Sequence, residues 1–125
     1  MGNRNRTSGI RAEQQIASEL RELGFDGVVT TRAESKNMDD RGVDLIQLRN
    51  CINELPCYFQ VKKTVNTPNI KELLTNDLEK PLVVVHIKEE KRGSRFYETG
   101  TYVYMEKELF YQLLKKWHTL LQKEN

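Results

Sequence analysis

The chain has 125 residues, 20 of them Lys or Arg against 18 Asp or Glu, with 38% hydrophobic and 30% charged residues. That length suits one domain, large enough to bury a core without disulfide or metal staples, and the composition excludes a disordered or fibrous protein. No apolar run approaches the roughly 20 residues of a membrane-spanning helix, and no apolar segment follows Met1-Gly2-Asn3-Arg4, so neither a span nor a secretory signal is expected.

Cys51 and Cys57 form no CxxC pair and are too few for a disulfide framework, which leaves a reducing, cytoplasmic setting as the expectation. A net charge of +2 does not by itself indicate a nucleic-acid binder. Its distribution is more informative. Residues 1–12 carry Arg4, Arg6 and Arg11 with no acid, and Lys88 to Arg95 holds four basic residues against two acidic ones. These runs are either solvated segments, with residues 1–8 a flexible basic arm, or phosphate contacts at the edges of a site.

In chain order, residues 9–24 predict an amphipathic helix, with Ile10, Ile16, Ala17, Leu20 and Leu23 at spacings of three and four and Gly24 as its stop. Val28 to Thr31 reads as a strand, Arg32 to Gly42 as a polar loop. Val43 to Leu48 and Cys57 to Lys62 read as two strands of a hairpin. Thr67-Pro68 predicts a helix start, with Thr67 as N-cap, and that helix runs to about Lys80. Leu82 to Ile87 is a buried strand, residues 88–99 a charged excursion, Thr101 to Met105 a strand and Glu106 to Gln122 a long helix. The expected class is α/β, a mixed sheet flanked by helices.

Three positions break these patterns. Glu13 falls in the middle of the apolar face of the first helix, where a carboxylate must be paired, hydrogen-bonded or bound to a metal. A buried ion pair with a lysine or arginine is the plain structural explanation. Asp44, after Gly42 and Val43, shares a strand face with Ile46 and Leu48, or caps its own turn. In Tyr58-Phe59-Gln60-Val61-Lys62-Lys63, alternation sets Gln60 and Lys62 side by side and Phe59 and Val61 on the other face, with Lys63 opposite Lys62. Hairpin pairing would bring a carboxylate, an amide oxygen and an ammonium onto one patch.

Together, helix Glu13, strand Asp44 and Gln60-x-Lys62 in this order resemble the PD-(D/E)xK nuclease superfamily. The likeness covers residues 6 to 87. Arg6-x-x-Gly9-x-x-x-Glu13, Gly24-Phe25, a polar loop holding Ser35, Gly42-Val43-Asp44-Leu45 and Phe59-Gln60-Val61-Lys62 look like the small archaeal-type Holliday-junction resolvases. The Gly42-Val43-Asp44 and Gln60-Val61-Lys62 forms are also similar to Mrr-type restriction endonucleases. Val43 stands where the pattern usually has proline, and Gln60 where it has a second strand acid.

The resemblance implies a restriction-endonuclease-like αβββαβ core in one nuclease domain spanning 1–125. It implies an endodeoxyribonuclease dependent on Mg²⁺, with Mn²⁺ able to substitute. Glu13, Asp44 and the Gln60 carbonyl would be metal ligands, Lys62 would orient the attacking water and balance phosphate charge, and Ser35 would touch the scissile phosphate. Arg4, Arg6 and Arg11 would contact the DNA backbone. A chain this small has little left over for reading base edges, which favours branched DNA as the partner and a homodimer with two sites as the acting form. A Mrr-like or general DNA-processing nuclease, and a non-catalytic DNA-binding module on the same core, are the alternatives. Asp39 and Asp40 would supplement the metal site or be solvated. His86, His118, Tyr102 and Tyr104 read as structural, and the apolar stripe of the last helix, with Trp117 and Leu121, as core or dimer surface.

Overall fold

The computed structural model describes residues 2–74 and 77–124, with side chains from residue 6 onward. Its elements are α1 (Gly2–Glu22), β1 (Val28–Thr30), α2 (Thr31–Glu34), α3 (Lys36–Asp40), β2 (Leu45–Gln47), β3 (Tyr58–Thr64), α4 (Ile70–Leu74), β4 (Leu82–Arg92), β5 (Arg95–Tyr104) and α5 (Lys107–Glu124). Five strands form one mixed sheet in the order β1-β2-β3-β4-β5. Only β3 and β4 run parallel; the β1–β2, β2–β3 and β4–β5 ladders are antiparallel. The α/β expectation holds, and so does the β2–β3 pairing. The parallel pair needs a crossover, which α4 occupies.

The core is built where α1 lies on the sheet. Ala12, Ile16 and Ala17 pack on Val28, Leu45, Val61, Val85 and Ile87, with Leu20, Phe25 and Phe59 partly covered at the margin. Leu23, expected on this face, is 74% exposed instead. It falls in the last turn, where Gly24 at φ +108° ends the helix. The amide of Gly24 donates to the Arg21 carbonyl and that of Phe25 to the Leu20 carbonyl, a Schellman closure that swings the chain toward β1.

Several boundaries differ from the sequence expectation. α1 begins at Gly2 rather than at residue 9, so residues 2–8, expected as an arm, continue the helix. The polar loop folds into two short helices. α4 covers only Ile70–Leu74, and Asn69, not Thr67, caps it, its Oδ1 accepting the Glu72 amide at 3.3 Å. The charged excursion is a two-stranded arm: β4 and β5 stay paired from Val84–Tyr104 out to Arg92–Arg95, and the turn is Gly93-Ser94 with Gly93 at φ +64°. Along α5 only Leu109 is buried; Phe110, Leu113, Leu114, Trp117, Leu120 and Leu121 are exposed, so the stripe is not core within one chain.

Candidate active site

Glu13 is carried into the interior by the same helical face that buries Ala12, Ile16 and Ala17, and only 3% of it is exposed. Both its carboxylate oxygens accept from Nε of Arg32, each at 3.0 Å. The guanidinium comes from α2, a helix within the stretch expected to be loop, and its side chain is 41% exposed. Burial without a partner would be costly, and Arg32 supplies the partner. The hydrogen bond to Glu13 in turn holds the Arg32 guanidinium more firmly protonated than usual.

Asp44 lies one residue ahead of β2, at the point where the β2–β3 ladder opens. Its amide donates to the Phe59 carbonyl at 2.8 Å and its carbonyl accepts the Thr31 amide at 2.9 Å. Its Oδ2 accepts the Val61 amide at 2.7 Å, so a side-chain oxygen takes the place of a backbone acceptor. That bond fixes the carboxyl beside the middle of β3. Burial raises its pKa from 3.8 to about 6; the Val61 amide and the Lys62 ammonium oppose the rise, while Glu13 and Asp39 add to it. Glu13, Asp39 and Lys62 thus all act on Asp44 through space.

Gln60 and Lys62 leave β3 on the face opposite Phe59 and Val61, as alternation requires. Gln60 is 6% exposed, and its Oε1 is buried without a hydrogen-bond partner. Such a carbonyl is rare in a native interior and calls for a donor or a cation. Lys62 is half-buried. Lys63, on the other face, pairs with Glu98 at 3.1 Å, in keeping with its exclusion from the site.

The remaining expected residues lie around this centre rather than in it. Ser35 is the N-cap of α3, its Oγ accepting the Met38 amide at 3.3 Å, so its hydroxyl is engaged in the fold. Arg6 and Arg11 are exposed on α1. The Arg4 side chain lies outside the described residues. Asp39, expected as solvated, is half-buried, and its Oδ1 accepts from the Thr31 hydroxyl at 3.3 Å while that hydroxyl also donates to the Val43 carbonyl at 2.7 Å. Sequence reasoning missed Thr31 and Arg32 because the short helix bearing them shows no periodicity.

No family model, curated protein or solved structure matches the chain. The residues themselves therefore carry the argument. Among the described residues no three His, Cys, Asp or Glu side chains converge into a metal-holding group. The groups that act on one another are Asp44, Glu13, Asp39 and Lys62, with Glu13 held by Arg32, while Gln60 leaves β3 on the face opposite Val61, the residue that packs on α1. The carboxyls among them are oxygen donors, and oxygen donors suit a hard divalent cation. The Gln60 oxygen, buried without a hydrogen bond, is a further oxygen donor on β3, two residues from Lys62. Glu13 can join such an ion only by sharing its carboxylate with Arg32.

Proposed function

We propose that this protein is a metal-dependent endodeoxyribonuclease with a restriction-endonuclease-like core, selective for branched DNA as the Holliday-junction resolvases are. The observation that carries the reading is the Asp44 carboxyl, raised by burial to a pKa of about 6 and acted on by Glu13, Asp39 and Lys62, with the buried, unpartnered Gln60 Oε1 two residues from Lys62 on the same strand face.

Asp44 and Gln60 would hold Mg²⁺ or Mn²⁺, with Glu13 as an outer carboxylate. When bound, the ion supplies Lewis-acid polarisation of the phosphate and a bound water of lowered pKa. The chain's own residues do the rest. Val61 orients the Asp44 carboxyl by its amide, so the oxygen that remains is presented in a fixed direction. Lys62 places a positive charge where negative charge builds on the phosphate, and it orients the attacking water. Half-burial keeps that charge effective by limiting solvent screening. Arg32 supplies the buried Glu13 carboxyl with the hydrogen-bond partner that its burial requires.

The exposed stripe of α5 supports a homodimer as the acting form. Trp117 is 60% exposed, and Phe110, Leu113, Leu114, Leu120 and Leu121 accompany it at three- and four-residue spacing. A helix of this length is marginal in water without an apolar partner surface. A two-fold pair would provide that surface and two identical sites for symmetric nicks.

The ion pair of Glu13 with Arg32 favours a second reading, a DNA-binding module that no longer cuts, because Arg32 neutralises one of the carboxylates a metal would need. Incubating the chain with four-way junction, duplex and single-stranded DNA in Mg²⁺, Mn²⁺ or EDTA separates the two. Metal-dependent cutting of the junction is the expected result; binding without cutting in either metal would establish the module.

A further inference from the structure

β5 is the last strand of the sheet, with β4 on one side and no further strand on the other among the described residues. Of its residues only Gly100 and Tyr104 are half-buried, and the rest are exposed. Phe96, Tyr97, Tyr102 and Val103 are between 39% and 56% exposed. A long strand edge is a template for another strand, and sheets guard theirs with proline, lysine or a covering helix. β5 has neither proline nor lysine, and α5, which follows it, buries only Leu109.

A bulge in β5 decides which of its side chains share a face. Lys88 faces Gly100 and Glu89 faces Glu98, so Thr99 is the extra residue and alternation reverses there. Tyr97 therefore falls on the face of Tyr102 and Tyr104, and Phe96 and Glu98 on the face of Thr101 and Val103. The 3.1 Å ion pair of Glu98 with Lys63, which shares a face with Val61, agrees. With its faces set this way the strand is complementary to itself. Laid antiparallel across a two-fold axis between Thr99 and Gly100, it sets Tyr97 against the partner's Tyr102 and Phe96 against the partner's Val103. Arg95 then meets the partner's Tyr104 and Glu98 the partner's Thr101, so no like charges oppose. A slip of one residue puts each pair on opposite faces, and a slip of two sets Phe96 on Thr101 or Glu98 on Val103. The ends match as well. The end of β5 lies beside the partner's arm tip, which holds Lys91, Arg92 and Arg95 against Glu90, itself paired with Arg92 at 3.2 Å. Glu106 and Glu108, with Lys107 between them, come to that tip at the start of α5.

We infer that β5 pairs antiparallel with the β5 of a second copy, joining two five-stranded sheets into one continuous sheet. The inference rests on the two-fold assembly proposed above and names its interface, but it does not need the chain to cut DNA. Every cross-strand pair occurs twice about the axis, and the exposed stripe of α5 starts from the same border.

The experiment oxidises a mixture of full chains carrying Tyr97→Cys and full chains carrying Tyr102→Cys, with each variant alone as the control for Cys51 and Cys57. Ladder partners stand about 4.5–5.5 Å apart at Cα, within disulfide reach, so a covalent pair should form in the mixture and not in either variant alone. Hydrogen exchange of the wild-type chain should slow at alternate β5 amides as the protein concentration rises. Val103→Lys, at an exposed position, should raise the dimer dissociation constant about tenfold or more and leave the chain folded by circular dichroism. A dimer that gives no mixed cross-link, with β5 amides exchanging freely, would overturn the edge pairing and leave the two-fold assembly to α5 alone. A cross-link within one variant instead of the mixture would overturn this register. A monomer at every concentration would overturn the pairing and the two-fold assembly together. A mixed cross-link in a chain that cuts no junction with Mg²⁺ would support the pairing while rejecting the nuclease.

Discussion

Replacing Asp44 by Asn should stabilise the fold above pH 6 and remove cleavage. The fold holds this carboxyl at about 6 against an ordinary value of 3.8, chiefly by burying it. A raised carboxyl pKa means that the folded state binds its proton more tightly than the unfolded state does. The group's contribution is therefore fully present below pH 4 and is lost as pH rises through 6. A difference of about 2 pK units corresponds to about 3 kcal/mol at most, and the charge–charge part of the shift is softened by solvent, so about 1–3 kcal/mol is the expected gain. Asparagine keeps an oxygen for the Val61 amide, so the 2.7 Å bond that aims the side chain survives while the charge is gone. Urea melts of both proteins in EDTA from pH 4 to pH 8 measure the gain directly. The curves should coincide near pH 4 and separate through pH 6, with the variant the more stable. Junction cleavage with Mg²⁺ should fall by orders of magnitude over the same range. A variant equally or less stable at pH 8 would refute the burial argument, and one that cuts at the wild-type rate would remove Asp44 from the active site.

Arg32→Ala leaves a carboxylate 3% exposed without its partner, and because the guanidinium is 41% exposed, water can partly replace it. The expected cost is about 2–3 kcal/mol in denaturant melts, with Mg²⁺ recovering part of it if Glu13 reaches the ion. Gln60→Glu adds a negative charge two residues from Lys62 on β3, so the Mg²⁺ titration of cleavage should shift to lower concentration; an unchanged titration would show that this side chain does not face the ion. Trp117→Glu on α5 should turn a dimer into a monomer by light scattering and leave the far-ultraviolet circular dichroism of the core intact, whereas a wild-type monomer at all concentrations would refute the two-fold assembly.

Alternation and helical spacing were enough to read which faces these side chains occupy. Glu13 sits on the apolar face of its helix because the residues around it recur at three and four, and Gln60 and Lys62 share a face because strands alternate. The run Leu82 to Ile87, apolar except for His86, is buried on both sides of the sheet, as a largely apolar strand tends to be. Those patterns report which side of an element is kept from water. They do not report what the element meets there.

Tertiary structure decided the partners. Arg32 meets Glu13 only in the folded chain, from a short helix that follows β1, and Asp44 takes the Val61 amide only because its side chain stands in the β2–β3 pairing. Asp39, read as either a supplement to the metal site or a solvated residue, is half-buried with the Thr31 hydroxyl on its Oδ1, and Leu23 is left outside at the end of its helix. The arm of β4 and β5 is charged on its surface and hence carried no apolar rhythm; its backbone ladder, which side-chain polarity does not encode, holds it together. Whether an amphipathic stripe is core or interface is likewise a question of docking. The stripe of α5 is equally regular in either case, and the rest of this chain does not cover it.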